Sequence, residues 1–207
     1  MHLHTDILPQ TTATVLEKIK ESSIIKDFYL SGGTALTLQL GHRESEDLDF
    51  FIEKQFQPEI LQQHLLSYGQ LENVEISEGT LNLFLDKVKL QFLHYPYHLL
   101  EEPMAWNGIH LSSMIDIACT KLITISQRGS KKDFIDMYVI LQSISLEYLF
   151  KKLDEKYKSI HYSTPHILKS LVYFDDADPQ PMPRMHIPLA WETVKDFTVE
   201  EVKKIIF

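Results

Sequence analysis

The chain has 207 residues, of which 44% are apolar and 24% charged, an ordinary globular composition that suits one large domain or a core with a small helical extension. The formal net charge of −9 argues against a generally basic nucleic-acid binder, and the single cysteine, Cys119, excludes both an intrachain disulfide and a cysteine zinc site. The opening MHLHTDILPQ lacks the basic start and apolar run of a secretory signal, and no stretch approaches the ~20 apolar residues of a membrane span, so a cytoplasmic protein with no membrane association is expected.

Residues 10–26 place Val15, Leu16, Ile19 and Ile24 at helical spacing and predict a packing helix. Phe28, Tyr29 and Leu30 then read as a short buried strand closed by the turn Ser31-Gly32-Gly33. Glycines there let the backbone turn sharply and approach a ligand with no Cβ in the way. Thr34 to Leu40 predict a short helix, stopped by Gly41 as its C′ residue. Amides at the start of that helix would point at whatever lies above the turn, which suits an anion such as phosphate.

The next strand carries the doublet Asp47-Leu48-Asp49. Side chains alternate along a strand, so Asp47, Asp49 and Phe51 are expected on one face, with Leu48, Phe50 and Ile52 turned inward on the other. Two carboxylates side by side repel unless a cation neutralises them. Beside a phosphate-binding turn, the expected cation is Mg²⁺ carrying the phosphates of a nucleotide. Arg43 and Ser45, in the loop between helix and doublet, could either steady that loop or touch the ligand.

Residues 58–68 open with a proline and predict an amphipathic helix on the sheet. Val74–Ile76 or Leu81–Leu85 should pair with Val88–Leu93 across turns at Glu78-Gly79 and Asp86-Lys87. From Leu111 the pattern turns helical. Ser113 to Asp116 reads as a capping box, as does Ser130 to Asp133, with Gly129 ending the first of the two helices. Asp136 could pair with Lys132 at i, i+4. Residues 145–158 predict another helix, 174–188 a proline-rich acidic loop packed by Tyr173, Phe174 and Trp191, and 191–206 a closing helix capped by Thr198. The acidic trio Asp175, Asp176 and Asp178 reads as solvated loop rather than a metal cluster. His2 and His4 read as surface residues, no HExxH spacing occurs, and His94, His98 and His110 are scattered along the chain.

The Gly-Gly turn, followed after thirteen residues by Asp-x-Asp on the next strand, resembles the nucleotidyltransferase fold shared with polymerase β. The fuller string SGGTALTLQLGHRESEDLDFF resembles a narrower group, the AbiEii/AbiGii toxin family of bacterial nucleotidyltransferases. The resemblance implies an α+β fold: a mixed-sheet core over residues 1–110 and a helical extension over 111–207, together one compact unit. It implies catalysis by Asp47, Asp49 and Lys121, with Mg²⁺ on the two aspartates. Ser31, Gly32, Gly33, Thr34, Arg43, Ser45, Lys132 and Asp133 would hold a nucleoside triphosphate, Lys121 and Lys132 facing its triphosphate. It further implies a role in a toxin–antitoxin or phage-defence pair, with a separate antitoxin protein as partner and an acceptor that could be RNA, protein or a small molecule. One departure stands out. A third carboxylate is usual on the strand VKLQFLHYP, but Gln91 occupies the matching position, and glutamine can be neither base nor anionic ligand. The alternative to an enzyme is therefore a nucleotide-binding or partner-binding module that has lost the third acid.

Overall fold

Period-two alternation along residues 80–94 gives the clearest local instruction in the chain, and in the computed structural model it forms the centre of a mixed seven-stranded sheet. The structure describes residues 3–206, so the expectation for His2 lies outside the described residues. These fall into two compact units, one ending at Ser113 and the other beginning at Met114.

In the first unit the strands are β1 (Tyr29–Ser31), β2 (Leu48–Ile52), β3 (Leu71–Ser77), β4 (Thr80–Leu85), β5 (Val88–His94), β6 (Met104–Trp106) and β7 (Ile109–Leu111), in the spatial order β3-β4-β5-β2-β1-β7-β6. β2 runs antiparallel to β1 and parallel to β5. The two-residue turn joining β4 to β5 has Asp86 at φ 48° and Lys87 at φ 69°, the left-handed pair that matches the twist of a tight hairpin. Asp86 is tied down there. Its carboxylate accepts from Lys18 Nζ at 2.5 Å and from the Gln70 amide, and the Lys18 ammonium holds its pKa below the usual carboxylate value.

Register turns the alternation into two rows. Leu30, Phe50, Phe92, Leu81 and Ile76 are successive cross-strand partners, and the first four are fully buried. Phe50 and Phe92 stack with ring centroids 5.1 Å apart, and Phe28 meets Phe92 edge-on at 5.4 Å. α1 (Gln10–Ile19) buries Val15, Leu16 and Ile19, and α3 (Pro58–Leu65) buries Leu61 and Leu65. One residue along, the row reads Ser31, Asp49, Gln91, Asn82, Glu75, wholly polar and on the opposite face.

Several expectations need correction. α1 ends at Ile19, and Ile24 lies beyond it, just before a 3-10 turn at Ile25–Asp27. The glycines do not precede the second helix: α2 spans Gly32–Leu40, so both lie inside its first turn. Asp47 sits one residue ahead of β2 rather than within it. β6 and β7, a hairpin about Asn107-Gly108, were not foreseen, although Asn-Gly is a strong signal for that turn.

The second unit is helical: α4 (Met114–Arg128), α5 (Lys131–Leu141), α6 (Leu146–Lys156), α7 (Thr164–Leu171) and α8 (Trp191–Ile206). α7 lies in a stretch that the sequence pattern leaves unassigned. Its cue is Ser163, whose hydroxyl accepts from the His166 amide, followed by a proline in the first turn. Thr198 does not cap α8; it lies mid-helix and donates to the Val194 carbonyl. Ser130 occupies the N-cap position of α5, but its side chain makes no capping bond and instead reaches Gln180. Asp178 accepts from Trp191 Nε1 at 2.6 Å and Lys195 Nζ at 3.2 Å, an anchored loop carboxylate. Among the described residues no group of three His, Cys, Asp or Glu side chains could hold a metal, and no helix is long and apolar enough to cross a membrane.

Cys119 is fully buried in α4, and burial pushes its thiol up to about 12. The thiolate that alkylating reagents require is therefore scarce at pH 8. Native protein treated with iodoacetamide at pH 8 should stay unmodified by intact mass, while the same protein in denaturant should gain one adduct.

Candidate active site

The polar row places the candidate site where β1 meets α2. Gly32 has φ +65°, a conformation only glycine adopts cheaply, and a Cβ there would overlap the carboxylate of Asp49. The glycine thus admits Asp49 against the start of the helix. A Cβ on Gly33 would stand 2.7 Å from Arg43 Nη2 and 3.0 Å from Ser45 Oγ. Gly32 makes room for the Asp49 side chain, and Gly33 for those of Arg43 and Ser45.

The loop between α2 and β2 is pinned from the helix. Gly41 at φ +66° ends α2, its amide bonding the Thr37 carbonyl at 2.8 Å. Thr37 Oγ1 donates to the Arg43 carbonyl at 3.1 Å, and Thr34 Oγ1 lies within bonding reach of both Ser45 Oγ, at 2.9 Å, and the Asp47 carbonyl. Arg43 is 2% exposed, with Nη1 donating to the Glu44 carbonyl at 2.8 Å, so in this position it braces the loop. Ser31 Oγ accepts from Ser112 Oγ, one residue past the end of β7, at 2.8 Å. These contacts bring Ser31, Gly32, Gly33, Thr34, Arg43, Ser45, Asp47 and Asp49 together at one end of the sheet.

Two half-buried carboxylates are available here: Asp49 packs against the helix start at Gly32, and Asp47 precedes it by two residues, its backbone carbonyl held by Thr34. This is a hard-oxygen donor set of the kind Mg²⁺ takes, since that ion uses one or two protein carboxylates and leaves its other positions to water and phosphate. The space above Gly32, which a side chain would fill, fits the same reading. Gly32→Ala should cost about 1–2 kcal/mol in backbone strain alone and push the Asp49 carboxylate aside. The expected result is weaker Mg²⁺–nucleotide binding by calorimetry than in Thr34→Ser, which keeps the hydroxyl.

Register sets Gln91 directly beside Asp49 on the neighbouring parallel strand, and its Nε2 donates to Asn82 Oδ1 at 3.0 Å.

In the second unit Lys121 is buried, its Nζ 2.6 Å from both Asp133 Oδ1 and Asp136 Oδ2. Asp133 also receives Arg128 Nε at 3.0 Å. Asp136 therefore pairs with Lys121 rather than Lys132, whose side chain is exposed. Asp136 belongs to this cluster although the sequence pattern, which singles out Lys121, Arg128, Lys132 and Asp133, marks it only as an i, i+4 partner for Lys132. The signal was the spacing: 121, 128, 133 and 136 lie close to whole helical turns within two consecutive helices.

Comparison with known proteins agrees with this architecture. The family model described as nucleotidyl transferase AbiEii toxin, type IV TA system, matches residues 14–80, the stretch holding the glycine turn and the doublet. A relative from Aquifex aeolicus (strain VF5), the uncharacterized protein aq_aa25, is 40% identical over 197 residues, covering 92% of this chain and 94% of its own. Among solved structures, MenT4, the nucleotidyltransferase toxin Rv2826c of Mycobacterium tuberculosis H37Rv, superposes with a TM-score of 0.58 at 16% identity, covering 92% of this chain and 80% of its own. JHP933 from Helicobacter pylori does so with a TM-score of 0.52 at 16% identity, covering 93% and 87%. At such identity these two structures speak for the fold. The match falls on the turn that seats Asp49, so residues 14–80 carry the AbiEii nucleotidyltransferase toxin domain pattern.

Proposed function

We propose that this protein transfers a nucleoside monophosphate from a nucleoside triphosphate to an acceptor hydroxyl. The observation that carries the reading is the fit between Gly32 and Asp49: a carboxylate seated at the amide-rich start of a helix, with a second carboxylate two residues before it. Asp47 and Asp49 would hold Mg²⁺, which when bound neutralises phosphate charge and polarises the reacting phosphoryl group. Amides of Gly32 and Gly33 bind the leaving phosphates, the hydroxyls of Thr34 and Ser45 with Arg43 hold the loop that fixes Asp47, and Ser31, tied to Ser112, holds the end of β1 beside the turn. In the second unit Lys121, Lys132 and Asp133 remain candidates for the triphosphate. Exposed Lys132 is available to it as it stands, whereas Lys121 would act through the carboxylates it orients.

In the reaction the acceptor oxygen bonds to the α-phosphorus. The α-phosphorus to bridging-oxygen bond breaks with its electron pair leaving on pyrophosphate, and the hydroxyl proton departs to solvent. Gln91 takes no proton. The match of residues 14–80 to a toxin family model supports a cytoplasmic toxin restrained by a separate antitoxin protein, with phage defence as its setting.

The test is incubation with each of four α-phosphate-labelled nucleoside triphosphates and Mg²⁺, offering total RNA and total cell protein as acceptors. Label in one acceptor fraction establishes the activity and names the nucleotide. Gln91 favours a second reading, a binding module without transfer. Nucleotide raising the melting temperature by mass action, with no label in either fraction, would select it.

A further inference from the structure

An open trough of about 530 Å³ begins at Gln91 and runs across β5, β4 and β3, away from the glycine turn. Its lining includes Gln91, Asn82, Phe84, Lys89 and Glu75. Gln91 and Asn82 are cross-strand partners, as are Lys89 and Phe84, and Asn82 and Phe84 lie two residues apart on β4. All four side chains therefore share one sheet face, with successive Cα pairs along the strand about 7 Å apart.

The chemistry of the trough is specific. The hydrogen bond from Gln91 Nε2 to Asn82 Oδ1 uses one donor and one acceptor, and it leaves Gln91 Oε1 as an acceptor beside the Asn82 amide as a donor. Such an edge complements the mixed donor and acceptor edge of a nucleobase, as single amides do for adenine. Phe84 is half-exposed on the same face, where a base could stack on its ring. Lys89 offers one cation, against one carboxylate on Glu75, so the trough carries no excess charge for a bare phosphate chain.

Position along the sheet decides whose base it would be. Resting on the function proposed above, the leaving pyrophosphate lies at Gly32 and Gly33, on the β1 side of Asp49. In-line displacement puts the attacking hydroxyl on the opposite side of the α-phosphorus, which is the side of β5 and the trough. We infer that the trough is a nucleobase-reading subsite for the acceptor, with the Gln91–Asn82 amide pair recognising the base edge and Phe84 stacking on it. The acceptor is then a single-stranded nucleic-acid end.

The test is binding rather than turnover, so it stands apart from the labelling experiment. Fluorescein-labelled pentanucleotides of each base would be titrated with the full chain, and Mg²⁺–nucleoside triphosphate affinity measured in parallel. Wild type should prefer one base. Phe84→Ala should weaken all four oligonucleotides about tenfold. Asn82→Asp, which still accepts from Gln91 but loses the free donor, should change or flatten the preference, and its isosteric shape guards against a folding artefact. Triphosphate affinity should move less than about twofold in both variants. No oligonucleotide binding by wild type, or a base preference unchanged in Asn82→Asp, would overturn the subsite while leaving nucleotidyl transfer to another acceptor intact. Variants that weaken the triphosphate instead would overturn the acceptor assignment and give the trough to the donor's base.

Discussion

Asp49→Asn should abolish nucleotidyl transfer while leaving the fold and the melting temperature unchanged. The side chains are nearly isosteric, and the space Gly32 leaves for Asp49 would take an amide as readily as a carboxylate. The negative charge, however, is gone. An amide cannot supply an anionic metal ligand, and the residual donor set reduces to Asp47. The loss should reach about 10³-fold or more, the scale seen when one preorganised electrostatic group is removed from a transition state. Labelled transfer in wild type and variant measures it, and equal rates in the two would refute the role. Gln91→Asp should act in the opposite sense if the missing carboxylate limits the rate. It restores an acid beside Asp49 on the adjacent strand, at the cost of the donor bond to Asn82.

The second large effect is on stability. Lys156 and Asp116 form a pair 2.6 Å apart with side chains 1% and 2% exposed. Neither charge is hydrated there, so removing one leaves the desolvation cost of the other without its main compensation. Lys156→Met keeps the volume and loses the cation, and should destabilise by about 3–5 kcal/mol. For a unit of this size that corresponds to a fall of more than about 10 °C in the melting temperature. The double variant Lys156→Met with Asp116→Leu removes both charges and should recover much of the loss, because a well-packed apolar pair often matches a buried ion pair. Thermal melts of the three proteins decide it. A single variant as stable as wild type would mean that the pair contributes little.

The parts of the fold legible from sequence are those set by short-range physics. The alternation along 80–94 marks β4 and β5, Gly41 ends α2 because only a residue tolerant of positive φ completes that cap, and Asp86-Lys87 forms the hairpin turn. The proximity of the glycine turn to the doublet was legible too, through the short helix that separates them. Less legible were elements whose cues are weak alone: α7, an eight-residue helix just ahead of the proline-rich acidic loop, and the three-residue strands β6 and β7, too short for periodicity to register. Capping at Ser130 and Thr198 was misread, since a hydroxyl at a plausible spacing bonds whichever partner the tertiary fold brings nearest.

Charge partners were beyond the sequence for the same reason. Lys121 has one acid on its own helix, Asp116, and two on the next, Asp133 and Asp136, and which carboxylates it meets depends on how α4 and α5 cross. Arg43 could have pointed at solvent, at a ligand or inward; its burial against Gly33 follows from the path of the 41–47 loop, which Thr34 and Thr37 fix from α2. The row Ser31, Asp49, Gln91, Asn82, Glu75 is the clearest case. Its members come from five strands, and each strand alone shows only that a polar residue alternates with apolar neighbours. By itself the sequence determined the turn, the doublet and the family pattern, because these rest on backbone conformations and spacings within some twenty residues. Only the tertiary structure decided that β5 lies parallel beside β2, and so that a neutral amide pair, not a third acid, stands next to Asp49, because strand order is set by burial of the opposite, apolar row across the whole sheet.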